Sequence, residues 1–287
     1  GTQINLRERI IMLYLCATPI GNLGDISARC IEILSSVDLI AAEDTRHTLK
    51  LLNHLGISKP MTSYHEHNKH EKGEYLISLM KEGKNIALVS DAGTPAISDP
   101  GEDLVKLCVE ENLDVTSVPG PVAAVNALIL SGLPARRFTF EGFLSVTKRR
   151  KYAHLESLKN DTHTMIFYEA PHKLTTTLSD MLNILGDRKI ALVRELTKIH
   201  EEVLRTTLSD ALKFYETHSP RGEYVIVVSG ADEESAEENT WWENLSPSEH
   251  VEEYIKRGLN SKDAIKETAM DRKTPKRDIY NEYHSNK

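Results

Sequence analysis

Residues 90–101 read SDAGTPAISDPG and follow the apolar run Ile86-Ala87-Leu88-Val89 without a break. The run reads as a strand, and the segment after it as a loop with two glycines, two prolines and two aspartates. In open α/β sheets, ligands sit beyond the carboxyl ends of the strands, where loop backbone groups are free of the sheet. Gly93 and Gly101 permit close backbone approach or positive φ, while Pro95 and Pro100 stiffen the loop between them. An ordinary long strand-to-helix loop has the same composition, so the case rests on two further loops of this kind.

Working outward, strand-like runs LYLCA from 13, DLIAA from 38, NIALVS from 85 and DVTSV from 114 alternate with helix-like segments. That alternation predicts a parallel α/β sheet. A helix is predicted over Asp25–Ser36, capped by Asp25 or Ser27 with Ile26, Cys30, Ile31 and Leu34 on one face, and another over Glu102–Glu111, burying Leu104, Leu107 and Cys108. A helix from Val122 to Leu130, stopped at Gly132-Leu133-Pro134, opens a second domain. That domain carries strand-like runs from 162, 189, 202 and 223, with the helical pattern Leu174, Leu178, Met181, Leu182 and Leu185, and a mixed sheet is expected. Residues 232–238, DEESAEE, have the composition of a solvated linker. Ser248–Arg257 and Ser261–Met270 then read as amphipathic helices, followed by a third around Ile279, Tyr280 and Tyr283. The expectation is an α/β protein with a parallel-sheet domain over 12–121, a mixed-sheet domain over 122–231, and a helical unit over 244–287. That unit is compatible with a helix-turn-helix or with any small helical cap.

A chain of 287 residues, 40% apolar and 27% charged, has globular composition, and no stretch reaches the roughly 18 apolar residues of a membrane span. Cys16, Cys30 and Cys108 are odd in number, lack Cys-x-x-Cys spacing and lie in or beside apolar segments. Buried, reduced thiols and a cytoplasmic protein without membrane association are therefore expected. Residues 1–11 have no secretory pattern and read as an extension ahead of Met12. A net charge of −8 excludes a globally positive field, so contact with nucleic acid must come from local patches. Arg136 and Arg137, then Lys148, Arg149, Arg150 and Lys151, surround Phe138, Phe140, Phe143 and Tyr152, mixing cations with rings that stack on bases. A solvated basic face or mobile loop accounts for the same residues. His65, His67 and His70 suggest a metal by their spacing, but no thiolate or carboxylate-rich partner set accompanies them, and no metal is expected.

Three loops, ATPIGN from 17, SDAGTPAISDPG from 90 and VPGPVAA from 118, should meet at the carboxyl edge of the first sheet. Neither G-x-x-x-x-G-K-[ST] nor G-x-G-x-x-G occurs, so the usual phosphate grips are missing. A ligand with an adenine, a ribose and an amino-acid tail suits such loops. TPIGN, AAEDTR from 41, SDAGTP, the PGPVAA turn, IFYEAPH from 166 and RELTKIHEE from 194 occur in that order. Together they resemble the signature segments of the tetrapyrrole methylase superfamily, most closely its ribosomal branch, over about Leu13–Gly230. The resemblance implies an S-adenosylmethionine-dependent enzyme, usually homodimeric, with the cofactor between two α/β domains. The implied substrate is the 2′-hydroxyl of a decoding-centre cytidine in 16S rRNA, within the small ribosomal subunit.

Carried over by motif, the resemblance implies Pro19, Ser90, Asp91, Ala92, Gly93, Thr94, Ile97, Ser98, Pro119 and Gly120 as cofactor neighbours from the first domain. From the second it implies Phe167, Tyr168, Glu169, Leu196, Thr197, Gly222 and Glu223. The first loop, Thr18 to Asn22, is not the glycine-rich loop of the small-molecule branch, which argues against a porphyrinoid substrate. A ribose hydroxyl is a poor nucleophile at neutral pH and gains from a positioned base. Glu43 or Asp44 is expected to orient the hydroxyl as that base, with Arg46 as a phosphate or carboxylate clamp. Asp44 as a helix cap paired with Arg46 is the competing reading. Lys198 is placed to face RNA phosphate or a cofactor carboxylate. Two other activities stay open: a methyltransferase of the same fold acting on a tetrapyrrole or a protein side chain, which needs an enclosed pocket without a basic approach, and a non-catalytic RNA-binding assembly module, which would bind no cofactor.

Overall fold

The computed structural model describes residues 12–232 and 242–285. The extension read at residues 1–11 and positions 233–238 of the acidic linker lie outside the described residues. The chain forms two compact units, one of residues 1–159 and 163–230, the other of residues 160–162 and 231–287.

The larger unit holds two sheets of five strands each. The first contains β1 (Met12–Cys16), β2 (Leu39–Ala42), β3 (Met61–Ser63), β4 (Ile86–Val89) and β5 (Asp114–Val118), in the order β3-β2-β4-β1-β5 with every pair parallel. Helices α1 (Ala28–Ser36), α2 (Thr45–His54), α3 (Lys69–Lys81) and α4 (Gly101–Glu110) connect successive strands. One face of the sheet packs on Cys30 and Leu34 of α1 and Leu52 of α2; the other packs on Leu76, Ile77 and Met80 of α3 and Leu104 and Cys108 of α4. Chain leaving β1 therefore covers one face and chain leaving β4 the other, although β1 and β4 are adjacent. Their diverging connections open a crevice at the carboxyl edge. Cys16, Cys30 and Cys108 are buried free thiols.

The first helix starts later than its pattern suggests. Leu23–Asp25 is a 3₁₀ turn, and α1 begins at Ala28 because the Ser27 hydroxyl accepts from the Cys30 N–H. His65 and His67 lie between β3 and α3 and His70 stands in the first turn of α3, so the three rings do not share a strand face.

Helix α5 (Ala123–Ser131) ends at Gly132 in the left-handed region, φ 76°, and leads to the second sheet. That sheet contains β6 (Phe138–Phe143), β7 (Thr164–Glu169), β8 (Lys189–Arg194), β9 (Glu202–Thr207) and β10 (Tyr224–Val228), in the order β6-β7-β10-β8-β9. Only β6 and β7 pair in parallel, so the sheet is mixed. Helices α6 (Lys148–Leu158), α7 (Leu174–Leu185) and α8 (Leu208–Thr217) cover one face; α5 covers the other. Strand β6 escaped the sequence reading because its register shifts between Phe140 and Gly142, which breaks the two-residue period.

In the smaller unit, α9 (Pro247–Lys256), α10 (Ser261–Asp271) and α11 (Lys276–Ser285) bury Val251, Ala264, Ile265, Ala269, Ile279 and Tyr283 in a core of their own. Ser246 caps α9 in a reciprocal capping box with Glu249, and Asn260 caps α10. Among the described residues, no helix is long and apolar enough to cross a membrane.

Candidate active site

The carboxyl ends of β1, β2, β4 and β5 deliver four connections to one edge, and hydrogen bonds tie them together, the connection after β2 through the Asp44 N–H, which donates to the Asp91 carboxylate at 3.0 Å. Thr18 and Gly93 exchange backbone bonds of 2.9 and 3.1 Å, joining the first loop to the loop after β4. The Thr94 hydroxyl donates to the Pro121 carbonyl at 3.0 Å, joining that loop to the turn after β5. A Cβ on Gly120 would come within 2.7 Å of the Ala17 Cβ, so only glycine allows the third turn to close on the first. The loop after β4 is also braced from within. Asp99 accepts from the Ala96 and Gly101 N–H groups at 3.0 and 2.8 Å, and the buried Tyr64 hydroxyl donates to the Pro100 carbonyl at 3.0 Å.

These loops and the second sheet enclose a cleft of about 400 Å³. Ser90, Asp91, Ala92, Gly93, Thr94, Ile97 and Ser98 line one side; Tyr168, Glu169, Leu196, Lys198 and Glu223 line the other, and Glu43 faces in from the end of β2. Apolar walls come from Ile20, Val122, Phe143, Val193 and Val225. Phe143 and Tyr168 meet edge to face at 5.5 Å. The backbone is strained around this cleft: Ala96 (φ 67°), Ser98 (φ 63°), Glu195 (φ 52°) and Thr197 (φ 67°) all hold non-glycine positive φ. Such conformations cost about 1–3 kcal/mol each and persist where the surrounding structure fixes them.

The remaining expected neighbours sit elsewhere. Pro19 lines an adjoining hollow with Thr18 and His47. Gly120 packs on Ala17 rather than lining the cleft, and Pro119, Thr197 and Gly222 do not line it either. Phe167 requires a correction: its side chain is fully buried in the core beneath α6 and α7, because strand alternation turns it away from Tyr168. Glu169 reaches the cleft with its carboxylate already engaged by the Thr177 hydroxyl at 2.6 Å and the Ala170 N–H at 2.8 Å. Ile20, Asp99, Val122, Phe143 and Glu195 were missed as lining residues. Asp99 lay within the quoted loop and Glu195 within the RELTKIHEE motif, whereas Phe143 depends on the shifted strand β6.

Electrostatically the cleft is acidic. Glu43, Asp91, Asp99, Glu169, Glu195 and Glu223 line it, with Lys198 the one cation among the described lining residues, its ammonium 3.1 Å from Glu195. Burial, together with the neighbouring Asp91 and Asp99, raises the pKa of Glu43. Burial likewise raises that of Asp99 despite its backbone donors. This lining fits S-adenosylmethionine: carboxylates favour its sulfonium and ammonium charges and accept from ribose hydroxyls, apolar walls accommodate adenine, and no phosphate grip is needed.

Asp44 and Arg46 lie outside the cleft. Asp44 caps α2 by accepting from the Arg46 N–H at 2.9 Å, and its carboxylate pairs with the Arg46 guanidinium at 3.1 Å. The guanidinium draws the Asp44 pKa down, which makes that carboxylate a weak proton acceptor. Among the basic residues, Arg136, Arg137, Lys148, Arg149 and Arg150 are exposed. Lys151 is the exception and a second correction: it is drawn inward to Asp180 at 2.5 Å, where the Tyr152 hydroxyl also donates. The run is not a mobile loop but the first turn of α6. Lys198 belongs to the cleft wall rather than to this patch.

Residues 12–212 match the family described as Tetrapyrrole (Corrin/Porphyrin) Methylases. The chain is 53% identical over 272 residues to a protein of Halalkalibacterium halodurans named ribosomal RNA small subunit methyltransferase I, covering 95% of this chain and 94% of that protein. A Thermotoga maritima protein of the same name is 46% identical over 220 residues, which is 77% of this chain and 99% of the relative. The uroporphyrin-III-C-methyltransferase of Thermus thermophilus superposes with a TM-score of 0.55 at 19% identity, over 75% of this chain and 93% of that one, a likeness of fold. The chain thus belongs to the tetrapyrrole methylase family, alongside the relatives named ribosomal RNA small subunit methyltransferase I.

Proposed function

We propose that the protein is an S-adenosylmethionine-dependent methyltransferase of the small-subunit ribosomal RNA, acting on the 2′-hydroxyl of a cytidine. The observation that carries this reading is the acidic cleft with Glu43 at its end, in a chain 53% identical to a ribosomal RNA small subunit methyltransferase I. When bound, S-adenosylmethionine supplies a methyl group on a sulfonium cation. Glu43 accepts the proton that the ribose hydroxyl gives up, and its raised pKa suits it to that role. Such a base contributes typically about 10²–10⁴ in rate, and holding the reactants in line contributes up to about 7–11 kcal/mol. The braced loops around the cleft supply that rigidity.

The basic turn of α6 supports an RNA substrate. Lys148, Arg149, Arg150 and Lys151 occupy the first turn with no acidic residue and no side-chain cap from Thr147. Cations there oppose the helix dipole, an arrangement that stabilises only when an anion such as phosphate docks. The turn follows Phe143 of the cleft wall by a few residues in sequence. Arg136 and Arg137, also exposed, precede β6 at the end of that strand opposite Phe143. A cytoplasmic homodimer is part of the proposal; Val125 and Ile129, on one face of α5, are 45% and 66% exposed and offer an apolar contact for a second copy.

The test is transfer of labelled methyl from S-adenosylmethionine to small subunits lacking the modification, followed by nucleoside analysis. The expected product is a cytidine methylated on ribose. Base methylation, or no transfer to intact subunits, overturns the reading.

A further inference from the structure

We propose that the hollow beside α2 binds the RNA nucleotide adjoining the one methylated, with Lys50, flanked by His47 and His54, as its phosphate-contacting edge. This rests on the ribosomal RNA reading above. The hollow measures about 390 Å³, within the range of small-molecule sites. Asp91 lines both this hollow and the acidic cleft, so the two openings share a wall. A polymeric substrate with one residue in the cleft must continue beyond it, and the hollow is the adjoining concavity.

Its chemistry is that of a nucleotide. Pro19, Leu23 and Leu51 give it an apolar floor for a base or sugar face. Along α2, positions 47, 50 and 54 recur at three and four residues and so share one helical face. All three side chains are exposed, and among the described residues none forms a hydrogen bond or ion pair. By contrast, Lys69, Lys81, Lys84 and Lys106 of the same domain each lie against a carboxylate. In a chain of net charge −8, a cation left unpaired beside a cleft is available to a phosphate.

The test uses the full chain in steady-state methylation of unmodified small subunits across a salt series, with cofactor affinity measured by calorimetry. Lys50→Glu is expected to raise KM for subunits by about tenfold with kcat and cofactor affinity unchanged. The salt dependence of kcat/KM should flatten by about 0.7–0.9 per lost phosphate contact. Lys50→Arg should match the parent, and His47→Ala with His54→Ala should move KM in the same direction as Lys50→Glu. Unchanged KM and salt slope in both the glutamate and the double variant overturn the proposal. Loss of cofactor affinity in Lys50→Glu also overturns it, assigning the hollow to the cofactor. If the parent protein fails to methylate subunits, the ribosomal reading itself fails; an active parent with indifferent variants sinks this inference alone.

Discussion

Glu43 illustrates how one side chain is set by its surroundings. It leaves β2 at the carboxyl edge, is half-buried, and faces Asp91 and Asp99, all of which favour its protonated form. Glu43→Gln is expected to lower kcat by about 10²–10⁴ while leaving cofactor affinity near the parent value, as single-turnover kinetics and calorimetry would measure. Because the pKa is raised in the fold, ionisation of Glu43 costs stability as pH rises through that pKa. The glutamine variant should therefore melt higher than the parent at pH 8, with the gain vanishing in acid where both side chains are neutral. Phe167 makes the complementary case. Phe167→Ala should cost about 3–5 kcal/mol by urea unfolding, because it empties a core site rather than a ligand wall. At this scale the sequence reading set Glu43 and the SDAGTP segment at strand ends, and Glu43 and residues 90–94 line the cleft, since strand ends can be read from apolar runs. It could not separate Phe167 from Tyr168, because which of two neighbours faces the cleft depends on where the sheet lies. It left Asp44 undecided between base and cap, and the bond to the Arg46 N–H supplies the cap.

Helix α6 shows an element that sacrifices stability. Arg149 and Arg150 stand at its amino end, exposed, with no carboxylate partner among the described residues, while Lys151 is already satisfied by Asp180. Replacing both by Glu should raise stability by about 1 kcal/mol, or about 2–4 °C in Tm, because acidic residues complement the amino end of a helix. The same double variant should raise KM for ribosomal subunits. A variant that melts lower, or methylates with unchanged KM, would contradict an RNA-facing role for this turn. The sequence displayed the basic run but not its helix, since α6 is preceded by a strand whose bulge hides the two-residue period. The first sheet was legible almost strand by strand because its short apolar runs end in glycine, proline and aspartate. Strand β3 was not, being only the three residues Met61–Ser63, all partly exposed.

At the scale of the molecule, the smaller unit has its own apolar core in α9 to α11, and the Thermotoga maritima relative aligns over 99% of its length while leaving part of this chain unmatched. Removing residues 244–287 is therefore expected to leave cofactor affinity within about twofold, by calorimetry, and to weaken binding to the ribosomal particle, by sedimentation. Loss of cofactor binding on that truncation would mean the units are not independent. The whole account rests on the three hydrogen-bonded loops forming a site for S-adenosylmethionine. Calorimetric titration of that compound into the parent protein and into Ala92→Trp, which places an indole in the cleft from an exposed loop position, tests this most directly. One site per chain in the parent and no heat in a folded Ala92→Trp variant is the predicted result; no binding to the parent, or equal binding to both, would contradict it.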